Sequence, residues 1–432
     1  MNSFRFRLWS AAILCLCLAH FSRGQELLVT PRNQQAVYQP KQNIQWDVQC
    51  LGATIPEANF VLKLGGLAEI AHGSIPLSDG KGQIDAALEN PGWLLAEVSV
   101  KLADGKQLKA LGGALVSPEK ITPALPPPGD FDAFWSEQLK VLAAVPMNAQ
   151  VEPATAGKPE ISYFHITMDN IRDSRIRGQL ARPVQGEKLP ALLIVQWAGV
   201  YPLQKNWVLD RAAEGWLVLN INAHDLPIDK PESFYTQQAN GPLQDYPALG
   251  NDDRETSYFL RMYLSCYRAT QYLAERPDWD GHTLVVTGGS QGGLQSLLTA
   301  ALHPKITAAM ASVPAGCDLN GPQAKRIPGW PSWYWKTRGK DEAKVRHAAE
   351  YFDIVNFAPR IKCPILVGVG LIDTVCPPPG IFAALNLVRG PKEVVLLPLG
   401  EHGDKKGSHR SYNLRFSAWN QALVKGLPAP LK

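Results

Sequence analysis

The sequence predicts an α/β fold with a doubly wound, mostly parallel sheet, preceded by a small all-β domain. Three observations support this prediction. From about residue 160 onward, near-continuous apolar runs alternate with helical stretches, which is typical of parallel strands buried on both faces. A glycine-rich turn at residues 288–293 joins one of these runs directly to a helix. Between residues 25 and 117, short segments alternate instead between apolar and polar residues, as in the strands of a β-sandwich.

The first 24 residues are predicted to be a signal peptide. Arg5 and Arg7 precede an apolar run at residues 8–18, and small residues come before Gln25, the usual pattern of a cleavable segment. This run is shorter than the roughly 20 residues that cross a bilayer, and no later segment has about 18 uninterrupted apolar residues. We therefore expect a secreted or periplasmic protein that is not integral to a membrane. A retained N-terminal anchor is the alternative.

Charge and cysteine content exclude several classes of protein. The formal charge of +4 falls to +1 without the three arginines of residues 1–24, which gives no electrostatic reason to bind nucleic acid. Five widely spaced cysteines remain, with no CxxC zinc pattern, so we predict neither a metal site nor a cofactor. One or two disulfides are compatible with an oxidising compartment, but the sequence does not pair the cysteines. The five are Cys50, Cys266, Cys317, Cys363 and Cys376.

The chain divides into two predicted domains joined by a linker. Residues 25–117 are predicted to form a β-sandwich, with an immunoglobulin-like arrangement as its candidate topology. Residues 44–48 and 96–102 alternate strictly between apolar and polar side chains, and glycine-containing turns separate such runs. Residues 118–128 contain five prolines and are predicted to be a stiff linker. Residues 129–432 then form the catalytic domain.

The catalytic domain is predicted to begin with a helix. Asp130 is placed to cap it, and Phe131, Phe134 and Trp135 lie on one face, where we expect them to join the core. The predicted buried strands are residues 189–196, 216–221, 283–287, 306–313, 365–369 and 394–397, and the predicted helices between them include residues 257–274 and 294–302.

The central motif is GGSQGG at residues 288–293, which contains G-x-S-x-G. An apolar strand precedes it and a helix follows, as in the nucleophile elbow of an α/β-hydrolase. Such a turn is strained, and its glycines are needed because a Cβ would clash with nearby backbone. The N-terminus of the helix also offers free N–H groups to a developing negative charge. We therefore predict that Ser290 is a nucleophile. The alternative is a glycine-rich turn whose serine has no catalytic role.

A serine nucleophile needs a base, and the base needs an orienting carboxylate. In α/β-hydrolases these follow the serine in the order acid, then histidine. Asp373 follows the strand at residues 365–369, and His402 follows the strand at residues 394–397. Since both loops should open at the edge of the sheet that carries Ser290, we predict a Ser290, His402 and Asp373 triad. The weaker candidates are His303, His347, His409, Glu401 and Asp404.

An oxyanion hole requires two backbone N–H donors. The first is predicted to be Gln291, the residue after the nucleophile. The second should come from the loop after an early strand, where Gly199 allows close approach of the backbone. Val200 is the predicted donor and Tyr201 the alternative. Trp197 and Tyr201 are predicted to wall the substrate pocket, with a place in the core as the alternative for either.

Four aromatic residues are clustered between the elbow and Asp373. Aromatic faces stack on sugar rings, but they also fill the core of inserted lids. The sequence leaves both interpretations open for this cluster, which consists of Trp330, Trp333, Tyr334 and Trp335.

These motifs resemble those of the acetyl xylan esterase and cephalosporin-C deacetylase family, carbohydrate esterase family seven, over roughly residues 118–425. The most distinctive part is VTGGSQGG at residues 286–293. The family's first helix, oxyanion loop and acid loop are resembled by DFDAFW at 130–135, VQWAGV at 195–200 and DTVCPP at 373–378. The resemblance implies removal of acetyl groups from xylan or its oligosaccharides, so that the partner is an acetylated oligo- or polysaccharide.

The chain departs from the family pattern in three places. Residues 222–226 read NAHDL where the family has Arg-Gly-Gln, and Gly403 follows His402 where the family has glutamate. These departures spare the triad but bear on acetyl-xylan specificity and on the family's ring-like oligomer. The N-terminal β domain is an addition. We expect it to supply no triad residue, and a fragment beginning near Ile121 to keep activity on a small ester.

The sequence leaves three candidate functions. The leading one is a carbohydrate O-acetyl esterase with an acyl-enzyme intermediate. A peptidase of the prolyl-oligopeptidase type has a similar elbow, but its propeller needs several hundred residues and only about 90 precede the linker. A non-catalytic carbohydrate-binding protein would have no need of a complete triad. The sequence predicts neither the natural sugar, nor the acyl chain length, nor the oligomeric state.

Overall fold

The computed structural model describes residues 24–432. The predicted signal peptide, apart from Gly24, lies outside these described residues. Within residues 24–117 there are eight strands: β1 (Glu26–Pro31), β2 (Val37–Tyr38), β3 (Ile44–Leu51), β4 (Glu57–Leu64), β5 (Ala68–Pro76), β6 (Lys81–Ala86), β7 (Gly92–Lys101) and β8 (Gln107–Val116). They form two sheets, in the orders β1-β3-β6 and β2-β8-β7-β4-β5.

The two N-terminal sheets enclose a core of their own. Trp46 and Val48 of β3 pack in one cluster with Leu94, Ala96 and Val98 of β7. Because successive side chains of a strand point to opposite faces, the alternation seen in the sequence places these residues inward. The all-β region is therefore confirmed, whereas its immunoglobulin-like topology stays a prediction.

A nine-stranded sheet forms the centre of the catalytic region. Its strands are β9 (Gln150–Ala154), β10 (Ile161–Asp169), β11 (Arg175–Pro183), β12 (Leu189–Ile194), β13 (Leu217–Ile221), β14 (Trp279–Gly289), β15 (Ala308–Ser312), β16 (Ile365–Gly370) and β17 (Lys392–Leu397). Their order is β17-β16-β15-β14-β12-β13-β11-β10-β9. Strands β12 to β17 pair in parallel, and β9 to β11 form an antiparallel edge. The chain leaves β12 first towards β13 and then returns to β14 on its other side, and such switch points are where open α/β sheets bind ligands.

Helices cover both faces of this sheet. They are α1 (Phe131–Ala144), α2 (Asn206–Ala213), α3 (Glu232–Asn240), α4 (Tyr258–Glu275), α5 (Gln291–Leu302), α6 (Glu342–Glu350), α7 (Ile354–Phe357), α8 (Pro378–Leu385) and α9 (Arg410–Leu423). Helices α2 and α9 pack against one face, and α1, α4 and α5 contribute to the core on the other. The neighbouring residues Leu192 and Leu193 of β12 accordingly point into different cores. The doubly wound α/β fold is confirmed.

Asp130 stands at the N-cap of α1 but makes no capping hydrogen bond. Its carboxylate accepts hydrogen bonds from the Tyr351 hydroxyl and from Nη1 of Arg254, the latter at 2.6 Å. The predicted cap is therefore wrong, because this side chain ties the start of α1 to more distant segments. The aromatic residues of α1 are buried in the core, as expected.

The β-sandwich shares a hydrophobic core with the catalytic region. Trp93, Leu95 and Leu115 are buried in the same cluster as residues of the nine-stranded sheet. The indole N–H of Trp93 donates to the carbonyl oxygen of Leu371 at 3.0 Å. The backbone approach is so close that a Cβ on Gly113 would lie 1.9 Å from that same oxygen. The sequence led us to expect a catalytic region that is independent of the sandwich. These contacts instead join the two regions.

The proline-rich segment is bound to the catalytic region and is not a free spacer. The side-chain amide of Asn386 donates to the carbonyl oxygens of Pro118 and Ile121, at 2.8 and 2.9 Å. A carboxylate oxygen of Asp318 accepts the backbone N–H of Ala124 at 2.8 Å. The segment therefore holds the sandwich in a fixed position against the sheet.

Disulfides and membrane-spanning helices can both be assessed within residues 24–432. All five cysteines of this range carry free thiols, so none of them is in a disulfide. No helix in this range has both the length and the apolar character needed to cross a membrane.

Candidate active site

Ser290 lies at the turn between β14 and α5. Its φ of 56° and ψ of −119° are strained for a residue with a side chain. The turn is compressed, since a Cβ on Gly288 would lie 2.6 Å from the carbonyl carbon of Gly292. A Cβ on Gly292 would lie 2.6 Å from the carbonyl oxygen of Val195. The strand–turn–helix predicted from the sequence is present, and it presents Ser290 at the carboxyl edge of the sheet.

Ser290, His402 and Asp373 form a chain of hydrogen bonds. Oγ of Ser290 lies 2.9 Å from Nε2 of His402, and Nδ1 of His402 lies 2.9 Å from Oδ2 of Asp373. Asp373 is buried, and its Oδ1 accepts the backbone N–H groups of Val375 and Cys376, both at 2.8 Å. Because an ionised carboxylate only accepts, Nδ1 of His402 carries the proton and Nε2 is free to take one from Ser290. The structure thus brings the three predicted residues together.

The weaker candidates occupy other positions. His303 caps the opposite end of α5, and His347 lies in α6. His409 does line the cavity at Ser290, but its Nε2 is hydrogen bonded to the carbonyl oxygen of Glu401 at 2.8 Å. The carboxylate of Asp404 accepts the backbone N–H of His409 at 2.8 Å. His409 is thus bound to the His402 loop and does not take the position of the base, and the carboxylate at Nδ1 of His402 is that of Asp373, not that of Glu401 or Asp404.

A cavity of about 500 Å³ opens at Ser290 and His402. Trp197 lies in its wall and is 47% exposed. Tyr201 does not line it, because its ring stacks on Trp197 at a centroid distance of 5.2 Å and its hydroxyl donates to the Trp197 carbonyl oxygen at 2.8 Å. This corrects the prediction for Tyr201, which supports the wall and does not form it. A larger cleft of about 820 Å³ lies along the proline-rich segment and contains none of the predicted catalytic residues.

Two loops meet at the predicted oxyanion hole. Gln291 is the first residue of α5, so its backbone N–H has no partner within the helix. The Tyr246 hydroxyl donates to Oε1 of Gln291 at 2.6 Å and accepts the backbone N–H of Gly199 at 3.3 Å. That contact fixes the loop carrying Val200 beside the elbow and leaves the Gly199 N–H occupied. Val200 as second donor stays a prediction, and it is not part of the cavity wall.

Known proteins are similar to this chain in sequence and in architecture. The sequence model of the family described as acetyl xylan esterase (AXE1) matches residues 119–420. The acetyl esterase Axe7A of Xylanibacter ruminicola is 31% identical over 388 residues, covering 87% of this chain and 86% of that protein. The chain belongs to the acetyl xylan esterase family.

Two solved structures of acetyl xylan esterases are similar to this family member. The enzyme from Paenibacillus sp. R4 is 28% identical with a TM-score of 0.59, covering 69% of this chain and 97% of that one. The enzyme from Thermoanaerobacterium sp. JW/SL YS485 has a similar fold, with a TM-score of 0.62 at 23% identity over 71% of this chain and 97% of that one. The resemblance seen in the sequence is confirmed and the protein is an esterase, which sets the peptidase interpretation aside.

In this esterase a buried histidine stands where the sequence departs from the family's Arg-Gly-Gln. Nε2 of His224 lies 2.9 Å from the carbonyl oxygen of Gly199, and Nδ1 lies 2.6 Å from the Tyr258 hydroxyl. The carbonyl oxygen can only accept, so Nε2 carries the proton. Burial lowers the pKa of His224 to about 4, which keeps the ring neutral at pH 7. His224 therefore anchors the oxyanion loop, a role that no motif in the sequence indicated.

Replacing His224 with glutamine is expected to make the free energy of unfolding depend less on pH between about 4 and 6.5. The pKa of His224 is about 4 when folded, below the ordinary 6.5, so between these values the unfolded chain binds a proton that the native state does not. This residue therefore lowers the free energy of unfolding by about 1.4 kcal/mol per pH unit as the pH falls through that window. The variant should be less stable at pH 7 but lose less on acidification. Urea unfolding across pH 4.5–7 measures this, with the exposed His282→Gln as control, and equal slopes for wild type and His224→Gln would contradict the assignment.

The aromatic cluster of residues 330–335 serves more than one purpose. Trp330 lines the cavity at Ser290. Trp333 is fully buried and packs on Phe259 at a centroid distance of 5.0 Å, so it belongs to the core. Trp335 is 52% exposed. Of the two interpretations left open by the sequence, the core therefore applies to Trp333, whereas Trp330 is positioned to contact substrate.

Among residues 24–432, one group of side chains has the spacing of metal ligands. One potential ligand atom from each of Asp373, Cys376 and His402 lies within 4.8 Å of the others. Two of these groups are already joined by the hydrogen bond between His402 and Asp373. Burial raises the pKa of the Cys376 thiol well above its usual value, so the thiolate that binds metals is disfavoured there. The geometry fits an acid–histidine pair better than a metal centre.

Proposed function

We propose that this protein is a serine esterase that removes O-acetyl groups from an acetylated oligo- or polysaccharide. The observation that carries the proposal is the hydrogen-bonded chain from the strained Ser290 through His402 to the buried Asp373, at 2.9 Å for each link. Its setting beside a cavity of about 500 Å³ adds room for a small acyl group and part of an alcohol. Membership of the acetyl xylan esterase family supports the choice of acyl group and of substrate class.

The first half-reaction acylates the serine. Oγ of Ser290 attacks the acetyl carbonyl carbon while its proton passes to Nε2 of His402. The negative charge that develops on the carbonyl oxygen is stabilised by the backbone N–H of Gln291 and by a second N–H from the loop after β12, where Val200 is the predicted donor. Asp373 stabilises the resulting imidazolium through Nδ1–H. The ester C–O bond then breaks, and His402 returns the proton to the departing sugar oxygen.

The second half-reaction releases acetate. A water molecule takes the place of the sugar, His402 removes one of its protons, and the oxygen attacks the acetyl carbon bound to Ser290. Collapse of this second tetrahedral intermediate breaks the bond to Oγ, and His402 returns the proton to Ser290. The products are the free sugar hydroxyl, acetate and unchanged enzyme.

Three substrates test the proposal together. Acetate release from acetylated xylo-oligosaccharides and hydrolysis of p-nitrophenyl acetate are both expected, whereas p-nitroanilide peptides should not react. Cleavage of the anilides at a comparable rate would favour a peptidase. Failure to cleave either ester, with the protein folded, would favour a non-catalytic carbohydrate-binding role.

The rate of hydrolysis is expected to fall steeply with acyl chain length. Trp330 lies in the wall of the cavity beside Ser290, and this rigid ring excludes longer chains sterically. Exclusion has to dominate, because each methylene that does fit contributes only about 1–3 kcal/mol of binding. The kcat/KM values for p-nitrophenyl acetate, butyrate and octanoate measure this. Equal or faster hydrolysis of octanoate would indicate an open, lipase-like groove and would leave the triad itself untouched.

We also propose that the protein acts outside the cytoplasm, after removal of residues 1–24. The support is the basic start followed by the apolar run at residues 8–18. Intact-mass measurement of the exported protein, with N-terminal sequencing, should place the first residue at Gln25. A full-length mass in the exported fraction would indicate a retained anchor.

A further inference from the structure

A second cavity adjoins the one at Ser290. It has a volume of about 350 Å³ and shares Trp197, Gly289 and Ser312 with the catalytic cavity. It lies between the first two turns of α2 and of α9 on one face of the sheet. Its size falls in the range of small-molecule sites. We call it the α2–α9 groove.

The lining of this groove combines aromatic faces with uncharged or compensated polar groups. The aromatic residues beyond the shared ones include Trp207 and Phe416, and the polar ones are Gln196, Asn206, Asp210, Arg211, Thr287 and Asn413. Both oxygens of Glu214 accept from Nη1 of Arg211, at 2.8 and 2.7 Å, so the charge of this guanidinium is already paired. The other charged group in the lining is the carboxylate of Asp210, and one carboxylate alone is a weak basis for binding an ionic ligand. The lining therefore favours a neutral molecule with many hydroxyl groups and apolar ring faces.

The groove lies on the side of the reaction where the alcohol must leave. His402 returns its proton to the leaving oxygen, so the alcohol half of the ester has to sit against His402. The cavity wall next to His402 includes Asp404. The side-chain amide of Asn413 donates to Oδ2 of Asp404 at 3.0 Å and also lines the groove. The groove thus begins where the sugar emerges from the catalytic cavity.

Trp197 lines both cavities, and two neighbouring aromatic rings pack against it. Its ring stacks on Tyr201 and meets Trp207 edge to face at a centroid distance of 5.1 Å, with 68° between the planes. It nevertheless remains 47% exposed. Large exposed aromatic rings that are already held in one orientation bind apolar surfaces at little entropic cost. The C–H face of a pyranose ring is such a surface.

We propose that the α2–α9 groove binds the sugar residues adjacent to the acetylated one, so that the enzyme acts on glycan chains better than on single sugars. This inference rests on the proposed function and adds where the glycan chain of the substrate binds. Trp197 and Trp207 supply the stacking faces, and Asn206, Asp210 and Asn413 supply hydrogen bonds to ring hydroxyls. A neutral chain of pentose or hexose residues is the ligand class.

The test compares a long substrate with a short one in the same enzyme. The substrates are acetylated xylohexaose and p-nitrophenyl acetate, and the measured quantity is the ratio of their kcat/KM values. Trp207→Ala should lower this ratio about tenfold, through a higher KM for the hexaose, since one aromatic stacking partner is worth roughly 1 kcal/mol or slightly more. Asn206→Trp, which fills the groove from an exposed position and removes no packing, should lower it similarly. Trp335→Ala removes an exposed tryptophan outside the groove and should leave the ratio unchanged.

Several results would overturn the inference. An unchanged ratio in Asn206→Trp, with the wild type active on the hexaose, would sink the groove assignment and leave the proposed function standing. A fall in octanoate hydrolysis in that variant, without one on the hexaose, would make the groove an acyl-chain site. Absence of acetate release by the wild type, with p-nitrophenyl acetate still cleaved, would remove the carbohydrate substrate and the inference with it.

Discussion

Replacing Ser290 with alanine is expected to abolish esterase activity, with kcat falling on the order of 10⁶-fold, the loss seen when the serine of such a triad is removed. The substitution removes the one atom that forms the acyl-enzyme and leaves the elbow glycines, His402 and Asp373 in place. The strained φ of 56° is the same for alanine, so the Tm should change little. Steady-state hydrolysis of p-nitrophenyl acetate together with thermal unfolding measures both quantities.

The matched control for this substitution is Ser417→Ala. Ser417 lies on the exposed side of α9, and its hydroxyl donates to the Asn413 carbonyl oxygen at 2.9 Å within the same helix. It should retain the wild-type rate. If Ser290→Ala kept more than a few per cent of the activity after exclusion of contaminating wild-type enzyme, the nucleophile would lie elsewhere.

Removal of the β-sandwich is expected to cost the protein both its stability and its activity. Burial of Trp93, Leu95 and Leu115 contributes about 1.5–3 kcal/mol each, which together is a large part of the 5–15 kcal/mol that ordinarily separates folded from unfolded protein. The carbonyl oxygen of Leu371, two residues before Asp373, would also lose the indole N–H of Trp93 at 3.0 Å. A displacement of Asp373 by about 1 Å would by itself lower kcat about 10²-fold. A fragment beginning at residue 121 should therefore be poorly folded and nearly inactive.

A single substitution separates the two effects. Trp93→Phe keeps most of the buried surface but leaves the Leu371 oxygen without its donor, which should lower stability by about 1–3 kcal/mol and lower kcat as well. Val98→Ala is the control, since Val98 is buried in the separate core of the sandwich and not in the core shared with the catalytic region. It should lower the Tm without lowering kcat at temperatures where the protein is folded. A folded fragment from residue 121 with the wild-type kcat would show that the sandwich does not support the acid loop.

The sequence was sufficient to place the candidate triad because the α/β fold makes chain order informative. In a parallel sheet every strand ends at the same edge, so a serine, an aspartate and a histidine that each follow a buried strand converge there. The elbow glycines added a local requirement, which the backbone approaches at Gly288 and Gly292 explain. No knowledge of side-chain contacts was needed for this step.

Most of the features that the sequence did not predict depend on contacts between distant segments. Trp93 and Leu371 are separated by 278 residues, and neither has a pattern that marks it as part of an interface. His224 supports the oxyanion loop through a hydrogen bond to Gly199, and Tyr246 does so through hydrogen bonds to Gly199 and Gln291; residue type alone does not reveal these contacts. Tyr201 was predicted to line the pocket because it is aromatic and near Trp197 in the sequence. Its ring instead stacks on that of Trp197 and does not line the cavity.

Covalent labelling tests most directly whether Ser290 carries the acyl group. The enzyme is treated with a p-nitrophenyl phosphonate ester, digested and sequenced by mass spectrometry, with His402→Ala as a matched protein whose nucleophile is not activated. The predicted result is stoichiometric modification at Ser290 in the wild type, in step with loss of activity, and little modification in His402→Ala. Full inactivation with the label on another residue, such as the neighbouring buried thiol of Cys376, would contradict this role of Ser290.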